Sequence, residues 1–257
     1  SIPTVKSAEL LQLGLRAEGE LRGVILESLK NIVAKTEDVH ISPAFLKKYL
    51  FKEFYYYFQT LYNRQVIATR MQSSYFFSMV DTKLHDSLRR IFSILQLLYG
   101  SDLFDTVYYN VTHRYVAKEH RSNAIEIIDN IIGKDVSQIL IPMLELDTEK
   151  EVMQHGFANF KIRRRTFTEV LDQFLLDENS WVRSITIYLI AQNSILDMAD
   201  RIDVFLYDSS PLVRETALAA MSTLSIKLSP DDEYSIQNDK NRTVSKYALS
   251  ILGSRGA

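Results

Sequence analysis

The stretch "PLVRETALAAM" at residues 211–221 recurs in pattern as "SWVRSITIYLI" 31 residues earlier and as "RTVSKYALSIL" 31 residues later. An Asp stands three positions ahead of each copy (Asp177, Asp208, Asp239), and a Val sits at the third place within it (Val182, Val213, Val244). In the first two copies an Arg comes next (Arg183, Arg214); in the third the place is taken by Ser245. A fixed period of this size marks stacked supersecondary units, and no other feature of the chain narrows its fold as far. Three columns stay apolar: Val182/Val213/Val244, Ile187/Leu218/Leu249 and Ile190/Met221/Leu252. Thr186/Ala217/Ala248 stays small, whereas Ser184/Glu215/Lys246 is polar and changes charge. Apolar columns about three to five positions apart predict one buried helix stripe, with the variable column turned away from it.

Second helical segments are expected between the copies, in "ILDMADRIDVFLYD" and "SPDDEYSIQND". Each unit then reads as a helix pair, and neither helix can bury its stripe alone. The expectation is an all-α chain, an α-solenoid of stacked antiparallel helix pairs. Looser copies extend upstream through "DTEKEVMQHGFANF" with "TFTEVLDQFLLD", and "RSNAIEIIDNIIGKD" with "VSQILIPMLELD", where Pro142 predicts a kink. The N-terminal part is helical without a visible period. Long helices are expected in "EGELRGVILESLKNIVAK", in the segment opening at Pro43, and in "KLHDSLRRIFSILQLLYG", with "DLFDTVYYNVTHRYVAKEH" as one further helix. The organisation expected is an irregular helical region at 1–119 and helix-pair repeats at 120–257, joined as one continuous solenoid.

Composition removes several function classes. A net charge of −2 supplies no bulk positive field, so no nucleic-acid partner is expected. Cysteine is absent, which excludes disulfides, thiolate metal sites and a Cys nucleophile. Gly (8) and Pro (5) are too sparse for a turn-rich β or α/β fold. No apolar run reaches membrane-spanning length. The chain opens on Ser, which fits removal of an initiator Met and equally a piece of something longer.

Asp177–Arg183 and Asp208–Arg214 are the most specific constellation. The Asp can cap the following helix, and the Arg can reach the Asp of its own or a neighbouring repeat, forming a ladder. A recurring pair of this kind reads as scaffold. "KIRRRTF" supplies Lys161, Arg163, Arg164 and Arg165, a cluster suited to phosphate, an acidic peptide or a lipid head group, or to a solvated loop. His113 and His120 lack the spacing of helical metal ligands. Asp197, Asp200 and Asp203 read as a solvated face, Asn123 and Asp129 as packing and capping residues, and the aromatics of "FKEFYYYFQTLY" as a core stripe. No nucleotide-binding loop and no catalytic motif is present, so no catalytic, cofactor or metal residues are assigned.

The order Asp, Val-Arg, then small residues at helix spacing resembles the HEAT repeat, a module of protein-interaction scaffolds, over residues 147–254. That resemblance implies a recognition row on the exposed helix face, here Ser184, Tyr188, Glu215 and Lys246. A second likeness lies in "HRSNAIEIIDNIIGKDVSQILIPMLE", with Asn123, Ala124, Glu126, Asp129 and Asn130 followed by Pro142 and Leu144. It is similar to HEAT-repeat regions attached to bacterial ATP/ADP-translocase-like, major-facilitator-type transporters. The implied role is a non-enzymatic cytoplasmic regulatory or docking domain, tethered to the inner membrane by a region outside this chain. Its partner would be a protein or its own membrane domain, with no cofactor. The alternatives are a free-standing adaptor and an enzyme on HEAT-like repeats, such as a DNA glycosylase or a bilin lyase.

Overall fold

The computed structural model describes residues 5–17, 19–36, 39–100, 102–113 and 115–253, so the outermost residues of both sequence-defined regions lie outside it. Every regular element among the described residues is helical: α1 (Val5–Gly14), α2 (Gly19–Val33), α3 (Pro43–Ala68), α4 (Ser74–Tyr99), α5 (Leu103–Thr112), α6 (Lys118–Asp129) and α7 (Lys134–Glu145). There follow α8 (Glu149–Asn159), α9 (Phe167–Leu175), α10 (Ser180–Gln192), two 3-10 segments (Leu196–Arg201 and Asp203–Tyr207), α11 (Pro211–Thr223), α12 (Pro230–Gln237) and α13 (Arg242–Gly253). The expected all-α class is therefore what forms. Two compact units divide the chain: residues 1–62 with 81–163, and residues 63–80 with 164–257. The sequence-defined division at 119/120 falls inside the first.

In the first unit the apolar stripes converge on one core. Phe54 and Phe58 of α3, Ile91 and Leu95 of α4, and Leu26 and Leu29 of α2 are all buried there. The aromatic run of α3 is thus a core stripe, with Tyr55, Tyr56 and Tyr57 only half-buried. α8 approaches α3 closely enough that a Cβ on Gly156 would lie 2.6 Å from the Phe58 ring. A side chain at Gly156 would strike that ring, so the contact needs glycine there although glycine weakens a helix. α4 ends where expected: Gly100 adopts φ +64°, a left-handed conformation that glycine takes without steric cost. The helix expected to run through 102–120 instead breaks at His113, whose backbone is extended, and α6 starts afresh at Lys118. Thr148 with Glu151 closes a capping box at the start of α8.

In the second unit α10 packs on α9 and α11, α11 on α13 and on the second 3-10 segment, and α12 on α13. Thr166 and Glu169 form a capping box that starts α9. The segment "ILDMADRIDVFLYD", expected to be helical, is so, but as two 3-10 helices rather than one α-helix. Aspartate draws backbone donors away from the α ladder; here Asp203 Oδ1 takes the Val204 N–H at 2.7 Å. Met198, Ile202 and Leu206 are nonetheless buried, the first 3-10 helix packing on α10 and the second on α11.

Candidate interaction surface

The recurring Asp and Arg meet between consecutive helices of the second unit. Arg183, in the first turn of α10, grips Asp208 with both arms: Nε to Oδ2 at 2.9 Å and Nη2 to Oδ1 at 2.8 Å. Its remaining Nη1 donates to the backbone carbonyls of Asp177 (2.7 Å) and Glu178 (2.9 Å). Arg214 repeats this one unit on, holding Asp239 at 2.6 and 2.7 Å and donating to the carbonyls of Asp208 (2.8 Å) and Ser209 (3.3 Å). Each guanidinium thus closes its own turn and clamps the carboxylate 25 residues ahead. The flat five-donor fork of arginine suits this double task, and lysine could not reproduce it.

The aspartates do not cap the helices directly. Each accepts the backbone N–H two residues on: Asn179 at 3.0 Å, Ser210 at 2.8 Å and Asn241 at 2.7 Å. These turns orient the carboxylate toward the incoming arginine. Burial alone would raise the Asp208 carboxyl, but Arg183 and the Ser210 N–H outweigh it and its pKa falls below the ordinary value. The hydrogen bond from Arg214 lowers Asp239 likewise, against the effect of burial. In the third copy Ser245 replaces arginine, and its hydroxyl donates to the Gln237 carbonyl at 2.7 Å.

Of the expected recognition row, Ser184 must be corrected: it is 5% exposed and is not a surface residue. α9, α11 and the first 3-10 segment flank α10, leaving open a narrow strip of Trp181, Ile185 and Tyr188. Trp181 (58% exposed) and Tyr188 (45%) are its large side chains. The corresponding positions on α11 are Leu212, Thr216 and Ala219, mostly small. Glu215 is half-buried and Lys246 exposed. Tyr247 sits near enough to Glu215 that its pKa rises, first through burial and then through that negative charge. The sequence pattern alone did not single out Trp181; its signal was a lone tryptophan in a variable column of the repeat.

Lys161, Arg163 and Arg164 are exposed and Arg165 half-buried. Their segment is not a free loop: Gln59 accepts the Arg163 N–H at 2.9 Å and donates to its carbonyl at 3.1 Å. Lys161 and Arg163 belong to the first unit, Arg164 and Arg165 to the second.

A second arginine–carboxylate cluster, which no sequence motif announces, lies in the core of the first unit. Glu53 of α3 accepts Arg22 of α2 at 2.5 Å on one oxygen. The other oxygen takes Arg90 of α4 at 3.0 Å and the Ser87 hydroxyl at 3.2 Å. Arg22 Nε also donates to the carbonyls of Leu15 and Ala17 in the turn before α2. Its guanidinium carbon stands 5.5 Å from the centre of the Tyr49 ring.

His120 and Asn123 line a shallow groove between α5 and α6, whereas the His113 ring stacks on Tyr109. Among the described residues no three His, Asp or Glu side chains are placed to share one metal ion. No helix among them is long and apolar enough to cross a membrane. Comparison of the chain with protein-family profiles, with curated proteins and with solved structures finds no match.

Proposed function

We propose that this chain is a non-enzymatic protein-binding scaffold, an α-solenoid of HEAT-type helix pairs. The observation that carries the reading is the identical bonding of Arg183 and Arg214, each tying one 31-residue unit to the next. A bond set that repeats with the sequence period serves register, because a catalytic centre occurs once. The open strip on α10 and α11 is the recognition face, with Trp181 and Tyr188 as aromatic anchors; Glu215 of α11 and Lys246 of α13 are the charged candidates outside that strip. The finer reading is a docking domain for a bacterial membrane transporter, contacting that protein's own membrane region, and it rests on the likeness around Asn123–Leu144.

Removing residues 208–238 tests the architecture, since the deletion brings Asp239 to the place of Asp208, opposite Arg183. A solenoid shortened by one whole unit keeps its helicity per residue and melts cooperatively. Loss of folding removes the solenoid reading. For the transporter role, an antibody against the chain is used on host membranes. A polypeptide far larger than 29.7 kDa that resists a carbonate wash supports that role. A wash-released species near that mass leaves a free-standing adaptor.

A further inference from the structure

The α1–α2 hairpin is apolar on two faces, and only one of them is used. Inward, Ala8, Leu15, Ile25, Leu26 and Leu29 are buried in the core of the first unit. Outward, Leu10, Leu13, Leu21 and Val24 remain 62%, 60%, 57% and 63% exposed. They are not scattered. At about 100° per residue, Leu10 and Leu13 share the side of α1 opposite Ala8 and Leu15. Leu21 and Val24 likewise share the side of α2 turned away from Leu26 and Leu29. The two helices pack on each other, close enough that a Cβ on Gly14 would lie 2.9 Å from Ile25 Cδ1. The four side chains therefore form one aliphatic surface beside the turn. Contiguous patches of about 300–600 Å² are the largest that monomers ordinarily expose, and they are often functional.

We propose that this face binds a second copy of the chain, hairpin against hairpin about a two-fold axis, closing a four-helix interface. The charges around the patch favour that occupant. Lys6 and Arg16 are exposed at its edge, and so are Glu9 and Glu20. A two-fold contact must be complementary to itself, which needs both signs on one face. A lipid surface would call for an excess of basic residues, and the edge has none. The surface is separate from the α10–α11 strip, so its fate is independent of the scaffold reading.

Light scattering coupled to size exclusion, at up to about 100 μM chain, is the test. Self-association gives twice 29.7 kDa. The double substitution Leu13→Glu with Val24→Glu returns the mass to that of one chain with helicity and melting unchanged. Lys6→Glu weakens the dimer about fivefold, and adding Glu9→Lys restores it, because the charge pairs are exchanged as a set. A single-chain mass at the highest concentration overturns the proposal, as does a dimer that survives the double substitution. If that variant fails to fold, Lys6→Glu decides: an unchanged dimer constant overturns the proposal.

Discussion

The molecule uses arginine and carboxylate in two opposite ways. In the second unit the pairs repeat: Arg183–Asp208 and Arg214–Asp239 sit at the junctions of successive helices, with side chains 5–12% exposed. In the first unit Arg22, Glu53 and Arg90 form one aperiodic cluster, where Glu53 is 1% exposed and two guanidinium groups share its carboxylate. The repeating pairs specify register, since each new unit must bring an aspartate to the same place. The central cluster ties three helices and the α1–α2 turn at a single point. Charge left unpaired at the Arg183–Asp208 junction, where the side chains are 11–12% exposed, can be partly rehydrated from the surface. Charge stranded at the centre cannot, so the two sites should respond very differently to the same kind of substitution.

The largest effect is expected from Glu53→Ala, which leaves Arg22 and Arg90 facing each other in the core. Removing one member of a buried ion pair costs about 3–5 kcal/mol, read as a shift in the denaturant midpoint. A cost below about 1 kcal/mol would mean that water reaches the cluster and would erase the contrast. Asp208→Ala comes next, at about 2–3 kcal/mol, since it frees one arm pair of Arg183 and the Ser210 N–H. A double-mutant cycle sharpens this. Arg183 and Asp208 should couple by about 1–3 kcal/mol, whereas Arg183 and Asp239, which share no bond, should be additive. Coupling of equal size in both pairs would break the junction-by-junction picture.

A smaller effect follows from pH. Asp208 and Asp239 have folded-state pKa values below the ordinary carboxylate value of 3.8. Their stabilisation is therefore fully present above that value and is lost as pH falls through the depressed folded-state values. The change in stability between pH 5 and pH 7 should owe nothing to these two groups, whose contribution is constant there. Below about pH 4 the wild-type chain should lose stability faster than Asp208→Asn, which has no such proton to take up. Parallel acid titrations of the two proteins check it.

How far the sequence foretold the two sites follows from the same contrast. The ladder was visible as a period, but which carboxylate each arginine would take was not. The sequence offers one Asp six positions behind Arg183 and another 25 ahead. In both units the arginine Nη1 takes the backbone carbonyl of the near Asp, while Nε and Nη2 face the carboxylate 25 residues ahead. The Arg22–Glu53–Arg90 cluster had no period to announce it. Its faint trace is that all three charges occupy core positions of otherwise apolar helix stripes, as Glu53 does between Tyr49, Leu50, Phe54 and Phe58. The 3-10 turns at 196–207 escaped for a local reason: their apolar residues keep a helix-like spacing while aspartates divert backbone donors. Ser184 escaped for a tertiary one, because a polar residue in a variable column reads as surface until the neighbours of its helix are known.

Ser184 also supplies the smallest test. Its hydroxyl is buried and has no hydrogen-bond partner among the described residues, in a helix where the nearby Thr186 hydroxyl donates to the Val182 carbonyl at 2.8 Å. An unsatisfied buried hydroxyl is a cost, and alanine is the better helix former, so both terms have one sign. Ser184→Ala should stabilise the chain by about 0.5–1 kcal/mol, seen as a raised denaturant midpoint with an unchanged slope. The next units carry Glu215 and Lys246 in that column, with no buried hydroxyl to relieve, so alanine at the exposed Lys246 should leave stability nearly unaltered. A loss of stability at Ser184→Ala would mean that the hydroxyl does find a partner in solution. The α10 junction would then hold a second polar tie beside the ladder, and the division between a repeating charged register and a single buried cluster would need redrawing.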